Sequence, residues 1–384
     1  MLIMAIDHSR DLFSNSIAYF DPADVHHTTV AIFFTRWITD YCAPVFSFLA
    51  GCGVFLSVSH GKPRNQVSRL LLTRGVWLIL LDLLVIKTCW FFKFDNSVLL
   101  AGVLWCLGWS MLALAAFIHL PRQLLFAISL GIIAGHNLLD PITFWKLGAF
   151  SEIWTILHGS GLIPLFGGIN LLVVYALIPW IGVMAAGYCF GEVLILESAS
   201  RRRVTLMLGC GLTLLFLAIR GVNGYGDPEP WSVQPSGIFT LLSFLACDKY
   251  PPSLCYLLMT LGPSLVLLSV LDRPTLPNWL KPVLVFGQVP FLFYVLHIPL
   301  LHAASIGCAL WRYGSAGWLI SIAPGLPRPI ESAYDAGVSR PMDFTFDLPL
   351  TYVGWLLVVL TLYPVCRRFA KYKSTHSAWW LSYL

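Results

Sequence analysis

The sequence predicts an all-α membrane protein, a polytopic helix bundle of about ten transmembrane helices. Of its 384 residues, 58% are hydrophobic and only 11% are charged, whereas soluble domains carry roughly a quarter charged residues. Several apolar stretches approach the ~20 residues that cross a bilayer as a helix. Runs such as 212–218 lack the alternation of barrel strands, so helices are expected to satisfy the buried backbone.

The predicted spans follow the apolar runs at 1–18, 39–59, 68–92, 98–118, 122–138, 170–192, 203–220, 253–271, 282–304 and 348–366. We interpret 1–384 as a single integral-membrane domain with a long outer loop at 305–347. Only six residues precede Asp7, which is about 9 Å of helix against a hydrocarbon core of about 30 Å. We therefore expect 1–18 to be a partial first helix, truncated at its N-terminus, with the native start further upstream. A half-helix packed inside the bundle is the alternative.

The charges are distributed asymmetrically about these spans. Basic residues lie in short loops and in the C-terminal tail, whereas most of the nineteen acids lie in the longer connections or at the adjoining helix ends. Because basic loops face the cytoplasm, both termini are predicted to be cytoplasmic. No basic face exists outside the short loops, which argues against a nucleic-acid partner. The ten cysteines occur singly, and we predict neither a metal site nor a disulfide framework.

Four ionisable residues lie within the first predicted span, where its initial apolar run ends. Asp7, His8, Arg10 and Asp11 are spaced so that their side chains lie on neighbouring faces of a helix. A histidine oriented by a carboxylate is suited to remove a proton from a hydroxyl or an amine. We predict catalytic roles for His8, Asp7 and Asp11, and a substrate-binding role for Arg10. Alternatively, these charged residues simply mark a helix end at the membrane surface, where charges cost little free energy.

A second histidine–carboxylate pair ends the fifth span. His136 and Asp140 are four residues apart, with Asn137 between them. We predict that His136 is catalytic and that Asn137 and Asp140 bind substrate. A helix C-terminus also favours a cation, so a simple cap explains the pattern equally well.

The segment 223–231 is rich in glycine and proline, which predicts a shaped turn. Its acids and aromatic rings suit a sugar or another hydroxylated ligand. Aromatic residues that anchor the protein at the membrane interface would explain the same composition equally well. The histidines of the ninth span are expected to line the same cavity. The substrate-binding candidates are Asn223, Tyr225, Asp227, Trp231, Lys249, His297 and His302.

Arginines near the predicted cytoplasmic face could hold a phosphorylated donor. Arg69, Arg74 and Arg201 are the candidates, since guanidinium groups bind phosphate through paired hydrogen bonds. Arg74 could instead form an internal salt bridge. Arg201 could instead belong to a basic loop that only fixes the orientation of the protein in the membrane.

Six motifs occur in order along the chain: D-H-S-R-D-L-F, P-V-F-S-F-L-A-G, R-G-V-W-L-I-L-L-D, A-G-H-N-L-L-D, N-G-Y-G-D-P-x-P-W and K-Y-P-P-S-L. Together they resemble the heparan-α-glucosaminide N-acetyltransferase catalytic-domain family, and its bacterial branch in particular. Members similar to the animal lysosomal enzyme pass an acetyl group from cytosolic acetyl-CoA to an amino sugar across the membrane.

The resemblance implies an acyltransferase in a bacterial inner (plasma) membrane. Its co-substrate would be acetyl-CoA or another acyl-CoA, with no permanently bound cofactor. The other partners would be an extracytoplasmic glycan or small-molecule acceptor, the lipid bilayer and a second copy of the chain. In the animal enzyme, the catalytic histidine lies in the loop before the P-x-F-x-F helix. This chain has His26 and His27 in that loop, but their distance to Pro44 differs from the family spacing.

The catalytic histidine is therefore His8, His26 or His27, and His8 ranks first because of its neighbouring carboxylates. Two other function classes stay open. One is a proton-coupled transporter that uses the intramembrane Asp82, and the other is a non-catalytic multi-pass membrane protein.

Overall fold

The computed structural model describes residues 1–14, 21–94, 97–142, 147–321 and 348–382. Within these ranges the chain is mainly helical, which confirms the predicted all-α class. The end of the predicted first helix and most of the predicted outer loop at 305–347 lie outside the described residues.

The α-helices of these ranges are α1 (Leu2–Phe13), α2 (Val30–Thr39), α3 (Cys42–Ser59), α4 (Arg64–Leu81), α5 (Lys87–Phe91), α6 (Val103–Phe117), α7 (Arg122–Gly135), α8 (Ser151–His158), α9 (Leu177–Leu194), α10 (Ser198–Val222), α11 (Gly237–Leu245), α12 (Leu254–Leu271), α13 (Lys281–Gln288), α14 (Pro290–Tyr313), α15 (Gly317–Ser321) and α16 (Leu348–Thr375). A π-helical turn, Asp82–Ile86, joins α4 to α5, and a 3-10 turn, His136–Leu139, extends α7.

Seven helical segments of the described chain are long and apolar enough to cross a membrane: Val30–Ser59, Arg122–Leu139, Leu177–Leu194, Ser198–Val222, Leu254–Leu271, Pro290–Tyr313 and Leu348–Thr375. Helix α6 is also apolar but shorter. These helices support a multi-pass membrane protein, while the total of ten spans stays a prediction.

Two predicted spans begin with strands instead of helix. Strand β1 (Val98–Ala101) pairs in parallel with β3 (Asn170–Val173), and β2 (Gly161–Pro164) pairs with β3 in antiparallel fashion. Helices α6 and α9 begin only after β1 and β3. Short apolar runs fit either a strand or a helix, and here pairing between segments distant in sequence decides for strands.

Helix α14 ends later than predicted. It continues to Tyr313, into the segment assigned to the outer loop, and stops where Gly314 adopts a left-handed conformation with φ 67°. A glycine with positive φ is a common way to end a helix because it lacks a Cβ atom. The helix therefore runs about two and a half turns past the predicted end of the span at 304, while the position of 305–347 as an outer loop stays a prediction.

The chain divides into two compact units. Unit 1 comprises Met1–Cys42, Val85–Asp95 and Pro274–Leu384, and unit 2 comprises Ala43–Leu84 and Asn96–Arg273. In unit 1, apolar side chains of α1, α14 and α16 form one buried cluster that includes Leu12, Phe293 and Val358. The prediction of a single domain over 1–384 stays a prediction.

In unit 2, α3 and α9 cross at two glycines. A Cβ atom on Gly51 would lie 2.0 Å from the carbonyl oxygen of Met184, and one on Gly187 would lie 2.0 Å from that of Phe48. Small residues allow the backbones of membrane helices to approach this closely. The crossing therefore depends on the absence of side chains at both positions.

We predict that Gly51→Ala lowers the free energy of unfolding by about 1–3 kcal/mol, because the added methyl group must push the two helices apart. Gly53→Ala on the same helix is the matched control, since a Cβ atom there meets nothing within 4 Å. Thermal unfolding in detergent, followed by tryptophan fluorescence, measures both variants. Equal transition temperatures for the two variants would contradict the close crossing.

Candidate functional site

Two histidines of unit 1 form a direct pair. Nδ1 of His8 on α1 lies 2.7 Å from Nε2 of His297 on α14, and the two rings stack with their centroids 4.9 Å apart. The edge of Trp90 packs against His8 at a centroid distance of 4.9 Å. His297 is fully buried. The predicted catalytic His8 is therefore held by a histidine 289 positions away.

The hydrogen bonds of His297 determine where the protons lie. Its Nδ1 is 2.9 Å from the carbonyl oxygen of Phe293, which can only accept, so the neutral ring of His297 carries its proton on Nδ1. Nε2 of His297 must then accept, and His8 donates from Nδ1. Neutral His8 consequently has its lone pair on Nε2, as a general base requires.

The carboxylates near His8 are bound by Arg10. Its Nη2 donates to Asp7 at 2.7 Å and to Asp11 at 3.0 Å, and the hydroxyl of Thr39 also donates to Asp7 at 2.9 Å. The contact that orients Nδ1 of His8 therefore comes from His297. His297 was predicted from the sequence to bind substrate. The orienting role predicted for Asp11 stays a prediction.

Arg10 has unused hydrogen-bonding capacity. Its side chain is 3% exposed. Nε and Nη1 are buried and have no hydrogen-bond partner in the described ranges. A buried guanidinium group with open donors can bind an anion or a polar group of a ligand. This geometry is compatible with the predicted substrate-binding role of Arg10.

His26 and His27 lie on an exposed turn before α2. Asp24 accepts from the backbone N–H of His26 at 2.9 Å, and its other carboxylate oxygen lies 2.6 Å from Nδ1 of His27. His27 thus has the carboxylate neighbour that the sequence analysis expected for His8. All three histidines stay candidates for catalysis, and of the three only His8 lies on a helix.

The histidine His302, also on α14, contacts main-chain carbonyl groups with both ring nitrogens. Nδ1 lies 3.0 Å from the oxygen of Cys89 and Nε2 lies 2.9 Å from that of Leu319. The ring is fully buried and also packs against Phe92. These contacts favour a structural role over the predicted substrate-binding role.

In unit 2, the predicted pair His136 and Asp140 lies beside a third ionisable residue, His158. Nε2 of His158 is 2.9 Å from the carbonyl oxygen of His136 and 3.7 Å from Oδ1 of Asp140. Asn137 donates to Oδ2 of Asp140 at 2.8 Å and accepts from the backbone N–H of Leu254 at 2.9 Å. Burial raises the pKa of the Asp140 carboxyl, although the hydrogen bond from Asn137 opposes this shift.

The sequence analysis missed His158. It is the last residue of α8 and lies 22 positions after His136, so no helical spacing relates the two. The available signal was weak: an apolar segment within a predicted outer connection that ends on a histidine followed by glycine. Only the tertiary fold brings the two rings to a centroid distance of 5.6 Å.

The loop that follows α10 is held by a buried ion pair. Nη1 of Arg220 lies 3.3 Å from Oδ1 of Asp227, and both side chains are 2% exposed. Oδ2 of Asp227 accepts from the hydroxyl of Ser253 at 2.6 Å and from the backbone N–H of Asp248 at 3.1 Å. Arg220 also donates to the carbonyl oxygens of Phe244, Glu229, Ser243 and Ala246. Both carboxylate oxygens of Asp227, which was predicted to bind substrate, thus contact groups of the protein itself.

Other predicted substrate ligands also shape this loop. The side-chain amide of Asn223 donates to the carbonyl oxygen of Trp231 at 2.9 Å and accepts from the backbone N–H of Trp231 at 3.0 Å. The hydroxyl of Tyr225 donates to the carbonyl oxygen of Ala134. Nζ of Lys249 lies over the ring of Tyr250, 5.3 Å from the ring centroid. Their roles in substrate binding stay predictions.

The three arginines predicted to hold the acyl donor are placed differently from one another. Arg201 donates to both carboxylate oxygens of Asp272 at 2.7 Å, and this hydrogen bonding lowers the pKa of Asp272. Arg69 is exposed on α4, and Arg74 is partly buried on the same helix. Arg201 could bind a phosphate only by sharing or releasing its carboxylate partner, so Arg69 is the most accessible of the three.

The carboxylate of Asp82, which the transporter alternative requires, is fully buried. Its Oδ2 accepts from the backbone N–H of Trp105 at 2.8 Å, near the beginning of α6. Capping a helix N-terminus stabilises a carboxylate at this position. Oδ1 has no hydrogen-bond partner within the described chain.

We predict that Asp227→Asn lowers the free energy of unfolding by about 3 kcal/mol, because it leaves the buried charge of Arg220 without its counter-ion. Glu229→Gln is the control, since Glu229 is exposed in the same loop. Thermal unfolding in detergent compares the two variants with the parent protein. A transition temperature for Asp227→Asn as high as that of Glu229→Gln would show that the ion pair does not hold the loop.

Comparison with known families supports the resemblance drawn from the six motifs. The family model described as heparan-alpha-glucosaminide N-acetyltransferase, catalytic, matches residues 2–221, which is more than half of the chain. His8, His136 and His158 lie inside the matched region, whereas His297 lies outside it. No curated protein matches the sequence. The chain therefore belongs to the heparan-alpha-glucosaminide N-acetyltransferase catalytic family.

Proposed function

We propose that the protein is a membrane-embedded acyltransferase. It would move an acyl group, most simply acetyl, from cytosolic acyl-CoA to an amine or a hydroxyl of an extracytoplasmic acceptor of the glycan type. Family membership supports the acetyl transfer, and the seven candidate spans support a membrane setting. The arginines of the predicted cytoplasmic side support binding of a phosphorylated donor.

The single observation that carries the mechanism is the pair of His8 and His297. Nε2 of neutral His8 would take the proton from the acceptor amine or hydroxyl while the acceptor attacks the thioester carbonyl. The carbon–sulfur bond then breaks, and the departing thiolate of CoA receives that proton from His8. His297 would keep His8 in the required tautomer throughout, through the Nδ1–H it binds.

A covalent variant of the mechanism uses the same nitrogen. Nε2 of His8 would attack the thioester, and the carbon–sulfur bond would break with CoA leaving as the thiolate. The acylimidazolium, whose Nδ1–H still donates to His297, would then pass its acyl group to the acceptor, and the proton that the acceptor loses would reach the thiolate through solvent. Formation of labelled protein from radiolabelled acetyl-CoA without acceptor would distinguish this route from direct transfer.

We predict that His8→Ala reduces acyl transfer by about 10²–10⁴-fold, because a general base contributes a factor of this size. The assay follows the release of CoA thiol by purified protein with glucosamine-type acceptors. His119→Ala is the matched control, since His119 is an exposed histidine outside the proposed site.

The single variants His26→Ala and His27→Ala complete this comparison. They are expected to retain the activity of the parent, because both residues lie on an exposed turn. Full activity in His8→Ala, together with loss of activity in one of these two variants, would move the catalytic role to that loop histidine.

A proton-coupled transporter is the second candidate function. The observation that favours it is the ion-paired group of Asp7, Arg10 and Asp11 on α1, in which Arg10 and Asp11 are buried, because ionisable residues at membrane depth often belong to ion pathways. Purified protein that turns over no short-chain acyl-CoA, but drives solute uptake into liposomes under a pH gradient, would select the transporter.

We also propose a bacterial inner-membrane location with both termini in the cytoplasm, from the charge asymmetry of the loops. An alkaline phosphatase reporter fused within 139–169 is therefore expected to be active, because that enzyme folds only outside the cytoplasm. A fusion at the C-terminal tail should be inactive. The reverse pattern would invert the orientation and place the histidine-bearing connections on the side of the acyl donor.

A further inference from the structure

Three side chains of unit 2 converge after the end of α7. His136 begins the 3-10 turn that follows α7, Asp140 caps that turn, and His158 is the last residue of α8. Each offers one nitrogen or oxygen atom that could bind a cation, and these three atoms lie within 4.8 Å of one another. Two imidazoles and a carboxylate are a common ligand set of divalent transition metals.

An independent observation points to a ligand at His136. The residue is 2% exposed, and neither Nδ1 nor Nε2 has a hydrogen-bond partner in the part of the chain that the structure describes. A neutral imidazole always presents one donor and one acceptor, and leaving both unsatisfied in a buried position costs free energy. A metal ion bound to one nitrogen would satisfy the acceptor.

Supporting contacts already orient the other two ligands. Asn137 binds Oδ2 of Asp140 and is itself fixed by the backbone N–H of Leu254, so the carboxylate turns Oδ1 toward His158. The ring of Trp154 stacks on His158 at a centroid distance of 5.4 Å. Groups that orient ligands in this way are typical of protein metal sites.

The geometry requires only a small contraction. Ligand atoms around a tetrahedral zinc ion lie about 3.3 Å apart, given bonds of roughly 2.0–2.1 Å. Nε2 of His158 is already 3.7 Å from Oδ1 of Asp140. Rotation of the partly exposed Asp140 and of the His136 ring can close the remaining gap. The metal would displace the Nε2 proton of His158, which now faces the carbonyl oxygen of His136 at 2.9 Å.

We propose that His136, Asp140 and His158 form a binding site for a divalent transition-metal ion, and that Zn²⁺ fits this ligand set best. The fourth position would be open to water or to a hydroxyl or amine of a ligand, because three protein ligands leave a tetrahedral ion incomplete. The site lies entirely within unit 2, and its existence does not depend on the proposed acyl transfer.

The test uses the full-length protein in detergent, stripped with a chelator and then titrated with Zn²⁺ against a chromophoric competitor. We expect about one ion per chain, retained on desalting and counted by inductively coupled plasma mass spectrometry. His158→Ala should weaken the affinity by at least about 10-fold. His119→Ala, which removes an exposed histidine of the same unit, should leave it unchanged.

Two further measurements do not depend on an alanine variant that folds poorly. Asp140→Asn keeps the shape of a partly exposed side chain and should also weaken Zn²⁺ binding by at least about 10-fold. In the parent protein, Co²⁺ should give the intense visible absorption of a four-coordinate site. Failure of the parent to retain Zn²⁺, or equal affinity in the parent, His158→Ala and Asp140→Asn, would overturn the proposal.

Discussion

The structure depends on one constraint: a polar group removed from water inside an apolar protein must find its partner within the protein. Arg220 shows the consequence most fully, because its guanidinium group serves Asp227 and four carbonyl oxygens at once. Each unsatisfied group would cost free energy comparable to a lost hydrogen bond. The same constraint places Arg10 between two carboxylates and sets Asp82 at the beginning of α6.

This constraint also fixes the chemistry available at the histidines. His297 must donate to a carbonyl oxygen, and that single bond determines the tautomer of His297 and then that of His8. Both ring nitrogens of His302 contact main-chain carbonyl oxygens, so neither nitrogen is open to a ligand. Within unit 1 these histidines therefore differ in which ring nitrogens are engaged by the protein, because their hydrogen-bond partners differ.

In unit 2, several of the predicted substrate ligands also hold the loop after α10 together. Asn223, Asp227 and Trp231 hold the turn after α10 together through main-chain contacts, whereas His136 is left buried with two unsatisfied nitrogens among the described residues. The contrast separates side chains that complete the fold from one that still needs a partner. This chain thus contains a candidate cation site in unit 2 that its cysteine pattern gave no reason to expect.

The sequence alone determined the helical membrane class, the family and the local clusters on α1 and after α7, because hydropathy and helical spacing are local properties. Tertiary structure decided that β1 and β3 are strands, that His297 partners His8, and that His158 joins His136. These pairings join segments that lie from 22 to 289 positions apart. No periodicity in the sequence encodes contacts over such distances, since they arise only when packing brings the elements together.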